Sequence, residues 1–184
     1  MIRFLDVMIS LIGVFFLFPL FILLFIMGLF DTGSPLFFQE RVGKNEKAFI
    51  LVKFRTMKKN STSVATHLMN INAVTRFGHF LRKSKLDELP QLWNVLRGDM
   101  SLVGPRPGLF NQPELISERR ACGVYSVRPG ITGLSQISGI DMSTPCLIAK
   151  TDKRMIDELT LVSYVGILFK TLMGAGSGDR IKAD

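Results

Sequence analysis

The chain has 184 residues, 47% hydrophobic and 21% charged, and its 23 Lys and Arg against 15 Asp and Glu leave a formal charge of +8. That length holds one domain of ordinary size and a little more, and the basic balance suits an anionic membrane surface or phosphorylated ligands. Nucleic acid would suit the charge alone, but no helix-turn-helix, zinc-ligand or aromatic-stacking pattern accompanies it, so nucleic acid is set aside as a partner.

The apolar excess is concentrated at the N-terminus. Between Val7 and Phe30 no residue is charged, and Ser10 is the only clearly polar side chain. As a helix these residues would reach roughly 36 Å, enough to cross the hydrocarbon core of a bilayer. The run is too long for an ordinary signal-peptide core, and no Ala-x-Ala-like cleavage site closes it. Pro19 removes a backbone hydrogen bond near the middle, which predicts a bend at Leu17 to Pro19. A bent helix can span the membrane or enter and leave on one face. Arg41, Lys44, Lys47, Lys53, Arg55, Lys58 and Lys59 follow the segment and draw that flank to the cytoplasm, while Arg3 and the terminal amine prefer the same side. Both geometries stay open from the residues alone, with the re-entrant one favoured.

DTGSP (Asp31 to Pro35) is a turn cluster that ends the segment. Leu36 to Val42 and Lys47 to Phe54 read as strands joined at Gly43-Lys44-Asn45-Glu46. Arg41, Lys53 and Arg55 project from this hairpin, equally suited to lipid headgroups or to a site. Lys58 to Thr66 is polar and reads as a loop. Ile71 to Leu81 resumes a helical pattern, with Val74, Phe77, Phe80 and Leu81 on one face.

The stretch from Arg82 to Pro107, RKSKLDELPQLWNVLRGDMSLVGPRP, is the densest in chemistry. Leu86, Leu89, Leu92, Trp93 and Leu96 predict a helix from about Asp87 to Leu96, with Ser84 as its cap and Pro90 in its first turn or at a kink. Asp87 and Glu88 would then lie at the N-terminal end of that helix, where the dipole favours carboxylate and welcomes phosphate. Two acids there could simply complement the dipole. They also follow Arg82, Lys83 and Lys85, and Gly98, Gly104, Pro105 and Pro107 frame Arg106 in a stiff turn. Carboxylates beside so many cations can ionise, recruit a divalent metal and face a phosphate, which suggests phosphoryl transfer. Adjacent side chains on a helix point about 100° apart, so the pair cannot flank a sugar ring as glycosidase acids do.

Beyond this core, Pro113 opens a helix after a loop from Phe110. Arg128-Pro129-Gly130-Ile131-Thr132-Gly133 is a turn whose backbone could approach a diphosphate. Leu159 to Met173 is apolar but interrupted by Lys170, and reads as a core or membrane-apposed helix. The tail from Gly174 is Gly-rich and polar and reads as frayed, with Arg180 still able to reach the site. Cys122 and Cys146, without CxxC or Cys/His clusters, argue against a disulfide framework or zinc site and read as buried or half-buried thiols. His67 and His79 read as structural or surface residues.

KLDELPQLWNVLRGDMSLVGPRP resembles the core motif of the bacterial sugar transferases, the small monotopic phosphoglycosyl transferases. FFQERVGKNEKAFILVKFRTM (Phe37 to Met57) and VRPGITGLSQISG (Val127 to Gly139) extend the likeness over nearly the whole chain. The resemblance implies an α/β fold, mostly helical with a small β-hairpin or sheet element. Residues 1-30 would form a re-entrant membrane helix and residues 31-184 a catalytic domain on the cytoplasmic face of the bacterial inner membrane. It implies transfer of a phospho-sugar from a UDP-sugar to polyprenyl (undecaprenyl) phosphate, releasing UMP, as the first membrane step of glycoconjugate synthesis. Asp87 would be the nucleophile that forms an aspartyl phospho-sugar, Glu88 would assist with metal or acceptor positioning, and Mg²⁺ would be held by both. Arg82, Arg106 and Arg128 would bind phosphate. Membrane lipid and downstream glycosyltransferases are the further partners it implies. The chain departs from the pattern at Ile140, where many relatives carry a basic residue, and at Asp141, which points to a different sugar specificity. A non-catalytic, membrane-anchored basic scaffold is the competing class.

Overall fold

An apolar run that satisfies its own backbone hydrogen bonds becomes helix α1 (Ile2–Thr32), which closes at Gly33 in the left-handed region with its N–H on Leu29 O. The computed structural model describes residues 1–59, 73–140 and 142–176. Pro19 does not break α1: the helix continues through it from Ile2 to Thr32. The predicted loop over Lys58 to Thr66 falls mostly outside the described residues. So do the start of the predicted helix at Ile71, His67, Asp141, and the tail with Arg180.

The strands form where alternation predicts them. β1 (Leu36–Val42) and β2 (Ala48–Phe54) pair antiparallel from Leu36↔Phe54 to Val42↔Ala48, across a tight turn at Lys44–Glu46 in which Asn45 and Glu46 have positive φ. Helix α2 (Arg76–Ser84) begins later than the apolar pattern suggests because Thr75 caps it, its Oγ1 accepting the Gly78 N–H at 2.9 Å. Then come α3 (Gln91–Arg97), β3 (Ser101–Val103), α4 (Pro113–Ala121), β4 (Gly130–Thr132), α5 (Leu134–Ile137), α6 (Pro145–Asp157) and α7 (Leu161–Leu172). β3 and β4 are parallel, with Ser101 beside Gly130 and Val103 beside Thr132. The fold is mostly helical with small sheets.

Among the described residues, two apolar clusters hold it together. One gathers Leu51, Val95, Met100, Val103, Tyr164 and Ile167, from β2, α3, β3 and α7. The other joins Leu24 of α1 to Phe54 of β2 and Leu81 of α2, with Leu86 and Leu89 packed on it. Each such side chain contributes about 1.5–3 kcal/mol on burial, so these clusters fix α1 against the domain.

Polar contacts decide where α1 docks. Near its start Asp6 is buried, accepting from Ser101 Oγ and the Leu102 N–H at 2.9 Å and from Tyr164 Oη at 2.7 Å. Burial and the Asp6 carboxylate together push the Tyr164 phenol well above its ordinary pKa. Arg3 donates to the carbonyls of Val95, Leu96 and Met100, closing the C-terminal end of α3. Near the other end of α1, a Cβ on Gly28 would meet Pro35 at 2.8 Å, so backbone and proline ring touch there. Both ends of the apolar helix are thus held by one domain. Its remaining surface, including Phe15, Phe16, Phe18 and Phe30, is exposed, as are Val162, Phe169 and Leu172 of α7.

Candidate active site

The acidic pair is not on the helix that the spacing predicts. α2 stops at Ser84, and Lys85 takes the left-handed conformation with φ 59°; Leu86–Glu88 form a single 3₁₀ turn and α3 starts only at Gln91. Pro90 is the N-cap of α3, consistent with its missing N–H. Ser84 caps nothing at this junction: its Oγ donates back to Phe80 O and Leu81 O. Leu86 and Leu89 pack into the second core, and this anchors the turn from both sides.

Asp87 is 1% exposed and Glu88 8%. Two adjacent buried carboxylates need neighbouring cations. Arg106 supplies one, with Nη2 on Glu88 Oε1 at 3.0 Å. Arg82 is buried nearby on α2, and its Nε donates to Thr56 Oγ1 at 2.9 Å. α2 presses so closely on this strand end that a Cβ on Gly78 would fall 2.0 Å from Thr56 O. Only glycine permits that crossing.

Arg106 is framed as its prolines suggest. The Gly104 N–H donates to Thr132 O at 2.8 Å and the Gly130 N–H to Pro105 O at 2.9 Å, which ties the turn to β4. A Cβ on Gly104 would lie 2.6 Å from Arg128 O, so the two loops meet backbone to backbone. Arg41 Nη1 donates to Pro107 O at 3.0 Å from the strand side. Arg41, Lys53, Gln91 and Arg106 line one cavity together with Leu51, Pro107 and Gly130. Arg41 and Lys53 therefore belong with the site, which their sequence positions left undecided; Gln91 had not been singled out. The pairing Phe37↔Lys53 puts residues 37 and 53 on one sheet face, and Arg41, four residues along β1, shares it. That alternation was the available signal.

Other basic residues are committed elsewhere. Arg55 donates to Ser34 O and Leu36 O and stacks 5.3 Å from the Phe37 ring, bracing the turn after α1. Arg128 donates from Nε to Gly98 O at 2.8 Å, at the end of α3 away from the acidic turn. Its backbone approaches the Arg106 turn. Ile140 is half-buried, with its N–H on Ser135 O. Cys122 is half-buried as expected, whereas Cys146 is exposed near the start of α6; both are free thiols. His79 is exposed.

Among the described residues no group of three or more His, Cys, Asp or Glu converges on a metal position. Asp87 and Glu88 offer adjacent oxygen donors only. That set fits Mg²⁺, which is commonly held by one or two carboxylates and completed by substrate phosphates.

A buried carboxylate pair joined through Arg106 to a cavity that Arg41 and Lys53 also line, in a chain whose first helix is long and apolar enough to cross a membrane, has the charge and composition that suit an anionic ligand at a lipid surface. The model of the family described as bacterial sugar transferase matches residues 1–177, and the chain belongs to that family. It is 39% identical over 176 residues to the UDP-galactose-lipid carrier transferase of Erwinia amylovora, a match covering 85% of this chain and 36% of that protein. It is 37% identical over 177 residues to the undecaprenyl-phosphate galactose phosphotransferase of Salmonella typhimurium, covering 83% of this chain and 36% of the relative. It is 36% identical over 187 residues to the exopolysaccharide production protein ExoY of Sinorhizobium fredii, covering 91% of this chain and 81% of that one. The chain thus spans just over a third of the Erwinia and Salmonella relatives and most of the Sinorhizobium one.

Proposed function

We propose that the protein is a phosphoglycosyl transferase that moves a phospho-sugar from a UDP-sugar to polyprenyl phosphate and releases UMP, in bacterial polysaccharide synthesis. The observation that carries this reading is the buried Asp87–Glu88 turn, joined through Arg106 to a cavity that Arg41 and Lys53 also line. The names of the Erwinia and Salmonella relatives supply the donor and lipid-carrier classes.

An Asp87 carboxylate oxygen attacks the phosphorus that bears the sugar. The bond from that phosphorus to the oxygen bridging to the α-phosphate breaks, and UMP leaves with the electron pair. An oxygen of polyprenyl phosphate then attacks the same phosphorus. The aspartyl–phosphorus bond breaks, which restores the carboxylate and yields polyprenyl-diphospho-sugar. Arg106, Lys53 and Arg41 hold the non-bridging oxygens, a role that fixed cations in a poorly hydrated pocket perform well. Arg82, held by Thr56, adds positive potential behind the turn, and Glu88 keeps Arg106 aimed while sharing the metal position with Asp87. When bound there, Mg²⁺ would neutralise charge on the diphosphate. Arg128, held by its Nε on Gly98 O, keeps its Nη donors for phosphate.

Residues 1-30 embed as a re-entrant helix and residues 31-184 form the catalytic domain on the cytoplasmic face of the inner membrane. Support comes from α1 itself: a spanning helix places its ends roughly 30 Å apart on opposite sides of the hydrocarbon, whereas here Asp6 and Leu24 both pack on the same domain. The exposed apolar side chains of α7, with Trp93 on α3, suit the same lipid surface, where the isoprenoid acceptor is dissolved. Glycosyltransferases that extend the lipid-linked sugar are the implied downstream partners.

The test is intact-protein mass spectrometry after incubation with Mg²⁺ and UDP-glucose, UDP-galactose or UDP-N-acetylglucosamine, without acceptor. A gain of one phospho-sugar, removed by added polyprenyl phosphate, is the expected result. Transfer that releases UDP instead of UMP rejects the scheme.

A further inference from the structure

Behind the Arg106 turn lies a buried ion pair that the chemistry above does not use. Arg119 on α4 is 1% exposed and Asp152 on α6 is 0% exposed, and Arg119 Nη2 reaches Asp152 Oδ2 at 2.6 Å. Asp152 Oδ1 accepts from Ser135 Oγ on α5 at 2.5 Å, so α4, α5 and α6 meet on one carboxylate. Burial pushes the Asp152 carboxyl up in pKa, while Arg119 and the Ser135 hydrogen bond pull it down. A buried pair of this kind is a poor source of net stability, because apolar side chains of similar volume serve as well or better. Holding the three helices together does not by itself require it.

The pair has one contact that apolar side chains could not replace. Arg119 Nη1 turns away from Asp152 and donates to the backbone carbonyl of Arg106 at 2.7 Å. That carbonyl belongs to the Arg106–Pro107 peptide. Pro105 and Pro107 fix their own φ angles, and Pro107 confines Arg106 to extended backbone, so the tilt of this peptide plane is the main freedom left in the turn. The tilt sets where the Arg106 side chain starts, and its guanidinium must end 3.0 Å from Glu88 Oε1. Arg119 also lines the space beneath the turn, with Tyr125 and Val127.

We infer that Arg119, oriented by Asp152 and Ser135, is a positioning residue: it clamps the Arg106–Pro107 peptide and thereby aims the Arg106 guanidinium at Glu88 and at the donor phosphate. The inference rests on the phosphate-binding role proposed for Arg106. Arg119 itself touches no substrate. Its effect passes through the backbone of its neighbour.

The decisive experiment replaces the whole pair, Arg119→Met with Asp152→Leu, in the full chain in detergent, and measures melting temperature and UMP release from the same three UDP-sugars with polyprenyl phosphate. The expected result is a folded protein whose melting temperature falls only modestly, because the Ser135 hydroxyl and the Arg106 carbonyl lose their partners, with kcat lowered by about tenfold to a hundredfold, the scale of a misplaced catalytic group. In an Arg106→Ala background the same replacement should cost no more than about a further twofold, since residues acting through one another are not additive. A folded paired variant with the parent's kcat overturns the inference, and so does a loss that is fully additive with Arg106→Ala. Should the paired variant fail to fold, Arg119→Lys decides. It keeps a charge opposite Asp152 but loses the planar fork that serves two acceptors, so kcat should fall while the protein stays folded; unchanged kcat overturns the inference. If Arg106→Ala alone turns over normally, the phosphate role of Arg106 is lost first, and that outcome is distinguishable from the other failures.

Discussion

Two buried carboxylate sites, Asp6 and the Asp87–Glu88 turn, differ in what they are built to do. Asp6 meets a hydroxyl, a backbone N–H and a phenol fixed by β3 or α7, while the Arg3 guanidinium, 3.9 Å away on the same helix, also donates to backbone carbonyls at the end of α3. Asp87 and Glu88 instead stand on a short 3₁₀ turn against Arg106, beside a cavity with further cations. Burial alone therefore does not mark a reactive carboxylate. A carboxylate enclosed by partners that the fold holds in place makes a structural anchor; cations gathered around an opening make a place where an anion can be received and exchanged. Asp152, enclosed by Arg119 and Ser135 with no opening of its own, falls on the structural side of that division.

The contrast breaks most directly at Asp87. Asp87→Asn keeps the shape of the side chain but removes the nucleophilic oxygen, and UMP release should fall by at least about a thousandfold, as when a nucleophile is lost elsewhere. Circular dichroism and membrane association should stay as in the parent. If that variant turned over normally, the distinction between the two sites would disappear. Asp6→Ala should show the opposite pattern. It strands the Ser101 hydroxyl, the Leu102 N–H and the Tyr164 hydroxyl in the interior, and the expected loss is about 3 kcal/mol or more of stability. Thermal melting in micelles checks this, with kcat per folded molecule expected to change little. The smallest effect belongs to Glu46 and Arg120, an ion pair between the hairpin turn and the end of α4 that is open to solvent, mostly on the Arg120 side. Arg120 holds the Glu46 carboxyl below its ordinary pKa, so its contribution is present above the unfolded carboxylate range and is lost as pH falls through the lowered value. Solvent and salt screen it, and Glu46→Gln should leave melting temperature and turnover both unchanged.

Periodicity and punctuation carried much of the fold. The uninterrupted apolar run from Val7 marks α1, alternation marks β1 and β2, and Pro113 opens α4 where a proline is tolerated. The candidate site was legible as a set of residue types: adjacent acids, a basic cluster and an arginine between prolines. Its local geometry was not. Apolar spacing from Leu86 to Leu96 fits one helix, but Lys85 in the left-handed region and Pro90 at the N-cap divide it, and side-chain spacing carries no record of a 3₁₀ turn.

What the residue order settled by itself was the inventory: an apolar segment of bilayer length, a basic remainder, and the chemical groups of a phosphate site, because composition and short-range pattern depend only on neighbours along the chain. Tertiary structure decided which of many cations face the acids. Arg41 and Lys53 reach the cavity through strand pairing, Arg55 and Arg128 are drawn off to backbone carbonyls, and Arg119 comes to lie under Arg106 through the packing of α4 on α6. The reason is physical: a flexible charged side chain goes to whichever partner the folded backbone brings within reach, and those partners lie 13, 21 and 30 residues away in sequence for Arg119, Arg55 and Arg128.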